Sequence, residues 1–103
     1  MATLQELQTL VHQVRQARGF TMDPLKIFAL LNEEIGEVAT ELKRTSSPNY
    51  NGFSQDALAD ELADVLVCLL ALANQIDVNL EQALVGKLVR KDSQREWKSA
   101  GKP

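Results

Sequence analysis

A single cysteine, Cys68, leaves this chain no intramolecular disulfide framework and no Cys-rich zinc site. Only three prolines and five glycines interrupt its 103 residues, so little in it opposes long helices. Aromatic residues make up 5% of the chain and strand-like alternation is missing, which disfavours a β or mixed fold. The longest uninterrupted apolar run, Val65 to Ala73, falls far short of the ~20 residues that span a bilayer. No basic and apolar leader opens the sequence, so the expectation is a cytoplasmic protein with no membrane partner. Lys and Arg number 11 against 14 acids, a formal net charge of −3, which argues against binding a nucleic-acid backbone. A small phosphate ligand would then need a metal or a local basic stripe to offset the acidic field.

What the chain does have is helix punctuation. Thr3 with Glu6 makes a capping box, and Leu4, Leu7, Leu10, Val11 and Val14 follow a helical stripe that stops at Arg18 and Gly19. Asp23 as N-cap with Pro24 at the first helical position predicts a second helix, running to Leu42 or Arg44. Thr45 to Phe53 holds Pro48 and Gly52 and reads as a loop. Ser54 caps a third helix that extends to Ile76 and is apolar nearly all round beyond Asp64. Asn79 with Gln82 opens a last helix, from Leu80 to about Trp97, before a frayed tail over 98–103. The expected fold class is all-α, a single domain over residues 1–103 built as a four-helix protomer. An all-round apolar helix needs cover on several sides, which so short a chain does not supply. Dimerisation that completes a shared helical-bundle core is the economical arrangement.

The informative residues are acids on the wrong face. With Ile27 set at zero, 100° per residue puts Leu31 at about 40° and Val38 at about 20°, and Glu34 falls at about −20°, inside the apolar arc. Glu41 and Glu37 follow at about −40° and −80°, while Glu33 sits at the border near −120°. On the third helix, with Leu58 at zero, Glu61 lies near −60°, between Leu72 and Cys68, and Asp64 near −120°. Both helices thus carry an acid pair at i, i+3, projecting from one face one turn apart. If the two helices pack antiparallel, the pairs can converge. Four converging carboxylates repel one another, and a hard divalent cation removes the difficulty. Oxygen-only donors with no His or Cys nearby point to Mg²⁺, with Mn²⁺ as a substitute, rather than zinc.

Glu33-Glu34-Ile35-Gly36-Glu37, a spacer of 23 residues, and Glu61-Leu62-Ala63-Asp64 together resemble the E-E-x-x-E and E-x-x-D signature of MazG-like nucleotide pyrophosphohydrolases. Arg18-Gly19-Phe20 is similar to that family's Arg-Gly-Trp entry to the metal helix. Ile76 to Ala83, followed by Lys87, is similar to its last-helix opening. The resemblance covers about Arg18 to Lys91. It implies an all-α fold, dimers or tetramers, and Mg²⁺ held at Glu34, Glu37, Glu61 and Asp64, with Glu33 as the water-activating candidate. The implied reaction is water attack at the α-phosphorus of a nucleoside triphosphate, foremost a deoxynucleotide, releasing monophosphate and pyrophosphate in nucleotide-pool house-cleaning. Phe20 stands where tryptophan is usual and Lys91 where asparagine is common, so the resemblance does not carry a base preference.

Along the last helix Leu80 and Leu84 begin a stripe that Lys87, Lys91, Gln94 and Arg95 continue, an apolar stripe turning basic. Lysine stems can simply cover a core edge, but Lys87, Lys91 and Arg95 are expected to clamp phosphate. Phe20 is the aromatic expected to meet the base, with His12 beside it in the substrate pocket. The alternatives are a specialised relative of the dUTPase, dCTPase or phosphoribosyl-ATP pyrophosphohydrolase kind, which would use the same acids, and a non-catalytic helical interaction module.

Overall fold

The computed structural model describes residues 1–47, 49 and 52–96, and among these the regular structure is entirely helical, with no strand. Each expected cap forms. Thr3 and Glu6 close a full capping box ahead of α1 (Leu4–Ala17), and the Asp23 side chain accepts from Leu25 N ahead of α2 (Pro24–Lys43). Ser54 caps α3 (Gln55–Gln75), and Asn79 caps α4 (Leu80–Val85). The turn after α1 reverses at Gly19, whose φ of +69° suits a residue without Cβ. Between α3 and α4 the reversal falls instead on Asp77, at φ 55°, a conformation Asp tolerates better than most side chains.

The last helix departs from expectation. Its α-helical hydrogen bonding ends at Val85, gives way to a π-helical turn, Gly86–Lys91, and finishes in a 3₁₀ turn, Asp92–Gln94. Two features favour the wider turn. Gly86 has low helix propensity and is buried beneath the Arg90 guanidinium, which a Cβ would approach to 2.6 Å. Lys87 Nζ pairs with Asp92 Oδ1 at 2.7 Å, and a five-residue separation matches the i→i+5 repeat. The basic stripe expected from α-helical spacing therefore loses its register after Gly86. Pro48, Tyr50, Trp97 and the expected tail over 98–103 lie outside the described residues.

The main packing is α2 against α3. Glu34 and Asp64 meet, and they lie equally far from the two helix ends joined by the 44–54 connection, so the pair runs antiparallel. Helix α1 lies on α3, and α4 lies on α1. Gln8, only 8% exposed, locks that corner: its Nε2 donates to Val78 O at 2.6 Å and its Oε1 accepts from Leu80 N at 3.0 Å. Asn74 Nδ2 in turn donates to Gln8 O at 2.9 Å.

The core is small: among the described residues Ile27, Leu31, Cys68, Leu70, Ala71 and Ala73 are the buried apolar ones. The expectation that α3 is covered on several sides is not met within one chain, since Leu62, Leu66, Val67 and Leu69 stay substantially exposed. Leu84, Val85, Leu88 and Val89 do likewise on the last helix. The Cα radius of gyration is 17.1 Å, against about 13 Å for a compact chain of ~100 residues. Among the described residues, apolar faces of α3 and the last helix are left uncovered. No helix among the described residues is long and apolar enough to cross a membrane.

Candidate functional site

Antiparallel packing brings carboxylates from two helices together. One oxygen from each of Glu34, Glu61 and Asp64 lies within 4.8 Å of the others. Glu34 and Glu61 are half-buried and Asp64 is exposed at the rim. Burial pushes the Glu34 carboxyl above the ordinary glutamate range, and the charges of Asp64, Glu37 and Glu33 push it further. Burial raises Glu61 likewise, followed by Asp64, Glu37, Glu34 and Glu41. Like charges held this close favour protonation or a cation. The donor set is oxygen only, and opposite oxygens on a six-coordinate Mg²⁺ stand about 4.2 Å apart. The three side chains therefore suit a hard divalent cation, reached by small rotations of exposed carboxylates.

Glu37 stands outside the group of three, exposed, yet near enough for its charge to raise both Glu34 and Glu61. Glu33 is exposed beside Glu34. Glu41, the third glutamate on the inner arc, is half-buried and pairs with Arg44 at 3.5 Å.

Glu34 and Asp64 also line a cavity of about 650 Å³ between α1 and the α2–α3 pair, inside the range typical of small-molecule sites. Its walls are mainly apolar, from Leu10, Val11, Val14, Leu30 and Val67, with Cys68 among them. Burial lifts the Cys68 thiol above its usual value, Glu34 and Asp64 push the same way, and Arg15 pulls it down. The thiol therefore sits within electrostatic reach of both the acids and a guanidinium. Phe20 lines the cavity, as does Thr21.

Other expected site residues lie elsewhere. His12 is half-buried with Nδ1 shut away from any partner, and it is not among the lining residues. Lys87, Lys91 and Arg95 do not line the cavity either, and the Lys87 ammonium is held by Asp92.

The sequence reading missed Arg15 and Arg18, which both line the cavity. Periodicity alone did not mark Arg15. Leu4, Gln8, Val11 and Arg15 follow at i, i+4, i+7 and i+11, a single helix face, and Gln8 and Arg15 are each 8% exposed while Leu7 and Leu10 are not buried. Polar residues at those steps ordinarily face solvent, so only the tertiary structure shows this face to be buried.

Helices joined by carboxylates at the head of an apolar cavity define an all-α protein equipped to hold a cation beside a small ligand. Residues 22–97 match the MazG nucleotide pyrophosphohydrolase domain. YpjD, an uncharacterized protein of Bacillus subtilis (strain 168), is 32% identical over 84 residues, covering 79% of this chain and 76% of the relative. The chain belongs to the MazG nucleotide pyrophosphohydrolase family, and membership supports nucleotide pyrophosphohydrolase activity in general. The matched span begins after Phe20, so α1 and its cavity-lining residues precede it.

Proposed function

We propose that this protein hydrolyses a nucleoside triphosphate, foremost a deoxynucleotide, to monophosphate and pyrophosphate as part of cytoplasmic nucleotide-pool house-cleaning. One observation carries the reading: carboxylates of Glu34, Glu61 and Asp64, drawn from two helices, gather within 4.8 Å beside a cavity of about 650 Å³. Glu34, Glu37, Glu61 and Asp64 would hold Mg²⁺, or Mn²⁺ in its place, with Glu37 swinging in from its exposed position. Bound there, the cation would neutralise triphosphate charge and make water more acidic. Glu33, exposed beside Glu34, takes a proton from the attacking water. The water oxygen bonds to the α-phosphorus as the bond to the bridging oxygen breaks, and pyrophosphate leaves. The apolar walls and Phe20 receive the base.

The uncovered faces of α3 and the last helix support a second copy of the chain as partner, in a dimer or a pair of dimers. A phosphate role for Lys87, Lys91 and Arg95 would require the last helix of that second copy to reach the cavity. Lys87 would then exchange Asp92 for substrate.

The test is incubation of the purified protein with Mg²⁺ and a panel of ribo- and deoxynucleoside triphosphates, scoring pyrophosphate separately from orthophosphate. In ¹⁸O-water the label should enter the monophosphate. No product from any nucleotide would refute the reading and favour the interaction module, and sedimentation would report the dimer independently.

A further inference from the structure

Arg15 is anomalous in a way that chemistry at the acid cluster does not explain. The residue is only 8% exposed, yet among the described residues no carboxylate lies within ion-pair distance and Nε has no hydrogen-bond partner. A buried guanidinium without a counter-ion is strongly unfavourable, and an apolar residue would continue the helix face at less expense. What the guanidinium does engage is the turn after α1. Arg15 Nη2 donates to Thr21 O at 3.0 Å, and the guanidinium carbon stands 5.3 Å from the centroid of the Phe20 ring. The Arg15 carbonyl also accepts from Phe20 N at 3.0 Å. One residue thus grips Phe20 and Thr21, both cavity residues, just where Gly19 lets the chain reverse.

The guanidinium is largely covered and already committed to Thr21 O and the Phe20 ring. Phe20, by contrast, is 48% exposed, and the Arg15 cation lies over its ring. A planar aromatic ring at the edge of an apolar cavity is a stacking platform for a nucleobase. We infer that Arg15 is a positioning residue for nucleobase recognition, fixing Phe20 as the stacking wall of the cavity that Glu34 and Asp64 share. The inference rests on the proposal that this cavity receives a nucleotide, and it assigns the α1 end to the base rather than to the phosphates.

Neutral nucleosides isolate this role, because they carry the base without phosphate charge and need no metal. Their affinity is measured by NMR titration for the wild type, Arg15→Met, Arg15→Lys, Phe20→Ala and the Arg15→Met/Phe20→Ala double variant. Arg15→Met and Phe20→Ala should each weaken binding by roughly tenfold. The double variant should be no weaker than Phe20→Ala alone, since Arg15 acts through that ring. Arg15→Lys keeps the charge but not the planar stacking group, and should fall between wild type and Arg15→Met. In turnover, KM should rise while kcat stays within about twofold, a split that loss of fold would not give. In the wild type, the buried Arg15 Nε–H resonance and the Phe20 ring resonances should both shift as nucleoside is added, a readout that does not require any variant to fold.

Unchanged affinity in a folded Arg15 variant, additive losses in the double variant, or absent nucleoside binding by the wild type would each overturn the inference. So would an immobile Arg15 Nε–H signal at saturation. Nucleoside binding that depends on Arg15, without pyrophosphate release from any triphosphate, would remove the hydrolytic reading and leave this one standing.

Discussion

Replacing Glu34 by glutamine should raise the melting temperature of the metal-free protein and abolish its response to Mg²⁺. The substitution keeps the side-chain volume and removes one charge from a group whose oxygens lie within 4.8 Å. At that separation Coulomb's law gives about 3.5 kcal/mol at an effective dielectric of 20 and about 0.9 kcal/mol in water. Glu34 is only half-buried, so screening places the relief from Asp64 near the lower figure, about 1 kcal/mol. For a chain of this size that corresponds to roughly 4 °C or more in melting temperature. In the wild type, Mg²⁺ at ten times its dissociation constant should add about 1.4 kcal/mol, because the acids gather only in the folded state. The assay is differential scanning calorimetry with EDTA and with Mg²⁺, at fixed protein concentration.

The sign of the pH dependence follows from the raised carboxyl. A folded-state value above the unfolded one means that the native protein binds the proton more readily, so the penalty is fully present above the raised value. It disappears as pH falls through that value and then below the unfolded one. The advantage of Glu34→Gln should therefore be complete at neutral pH and vanish as the solution is acidified below about 4. A glutamine variant that melts lower than the wild type in EDTA at neutral pH, while keeping its Mg²⁺ shift, would refute the reasoning.

Asp64→Asn should lower kcat/KM for pyrophosphate release by about 100-fold or more while leaving the helical circular dichroism unchanged, because it removes charge from the acid group at its exposed rim. Activity within a few-fold of wild type would exclude Asp64 from the metal set. Gln8→Leu should destabilise the protein by about 2–4 kcal/mol, since it leaves Val78 O and Leu80 N without their buried partner. A urea midpoint unchanged from wild type would show that the corner between α1 and α4 is held by other contacts.

The helix starts were legible because each cap is a local event. Thr3, Asp23, Ser54 and Asn79 satisfy backbone N–H groups two or three residues away, and nothing distant competes for them. The placement of Glu34 and Glu61 on inner arcs was legible for a similar reason, since the angle between a glutamate and the leucines of its own helix is fixed by the helix. The end of the chain was not. Uniform α-helical spacing carried Lys87, Lys91 and Arg95 along one stripe, but Gly86 and the Lys87–Asp92 pair widen the turn and spoil that register. For α1, the apolar residues alone pointed to a face centred near Leu7, whereas the buried face runs through Gln8 and Arg15. Hydrogen bonds to Val78, Leu80 and Thr21 decided that orientation, and none of them can be read from the periodicity of one helix.

The sequence by itself determined that the chain is helical, where its helices begin, and that two of them carry acid pairs at i, i+3, because these properties depend on contacts within a few residues. Tertiary structure alone decided that Glu34, Glu61 and Asp64 meet while Glu37 stands aside, and that a cavity opens beside them under α1. It also decided that Arg15 is buried against Phe20. Those outcomes depend on how helices pack against one another, and packing is set by groups far apart in the chain.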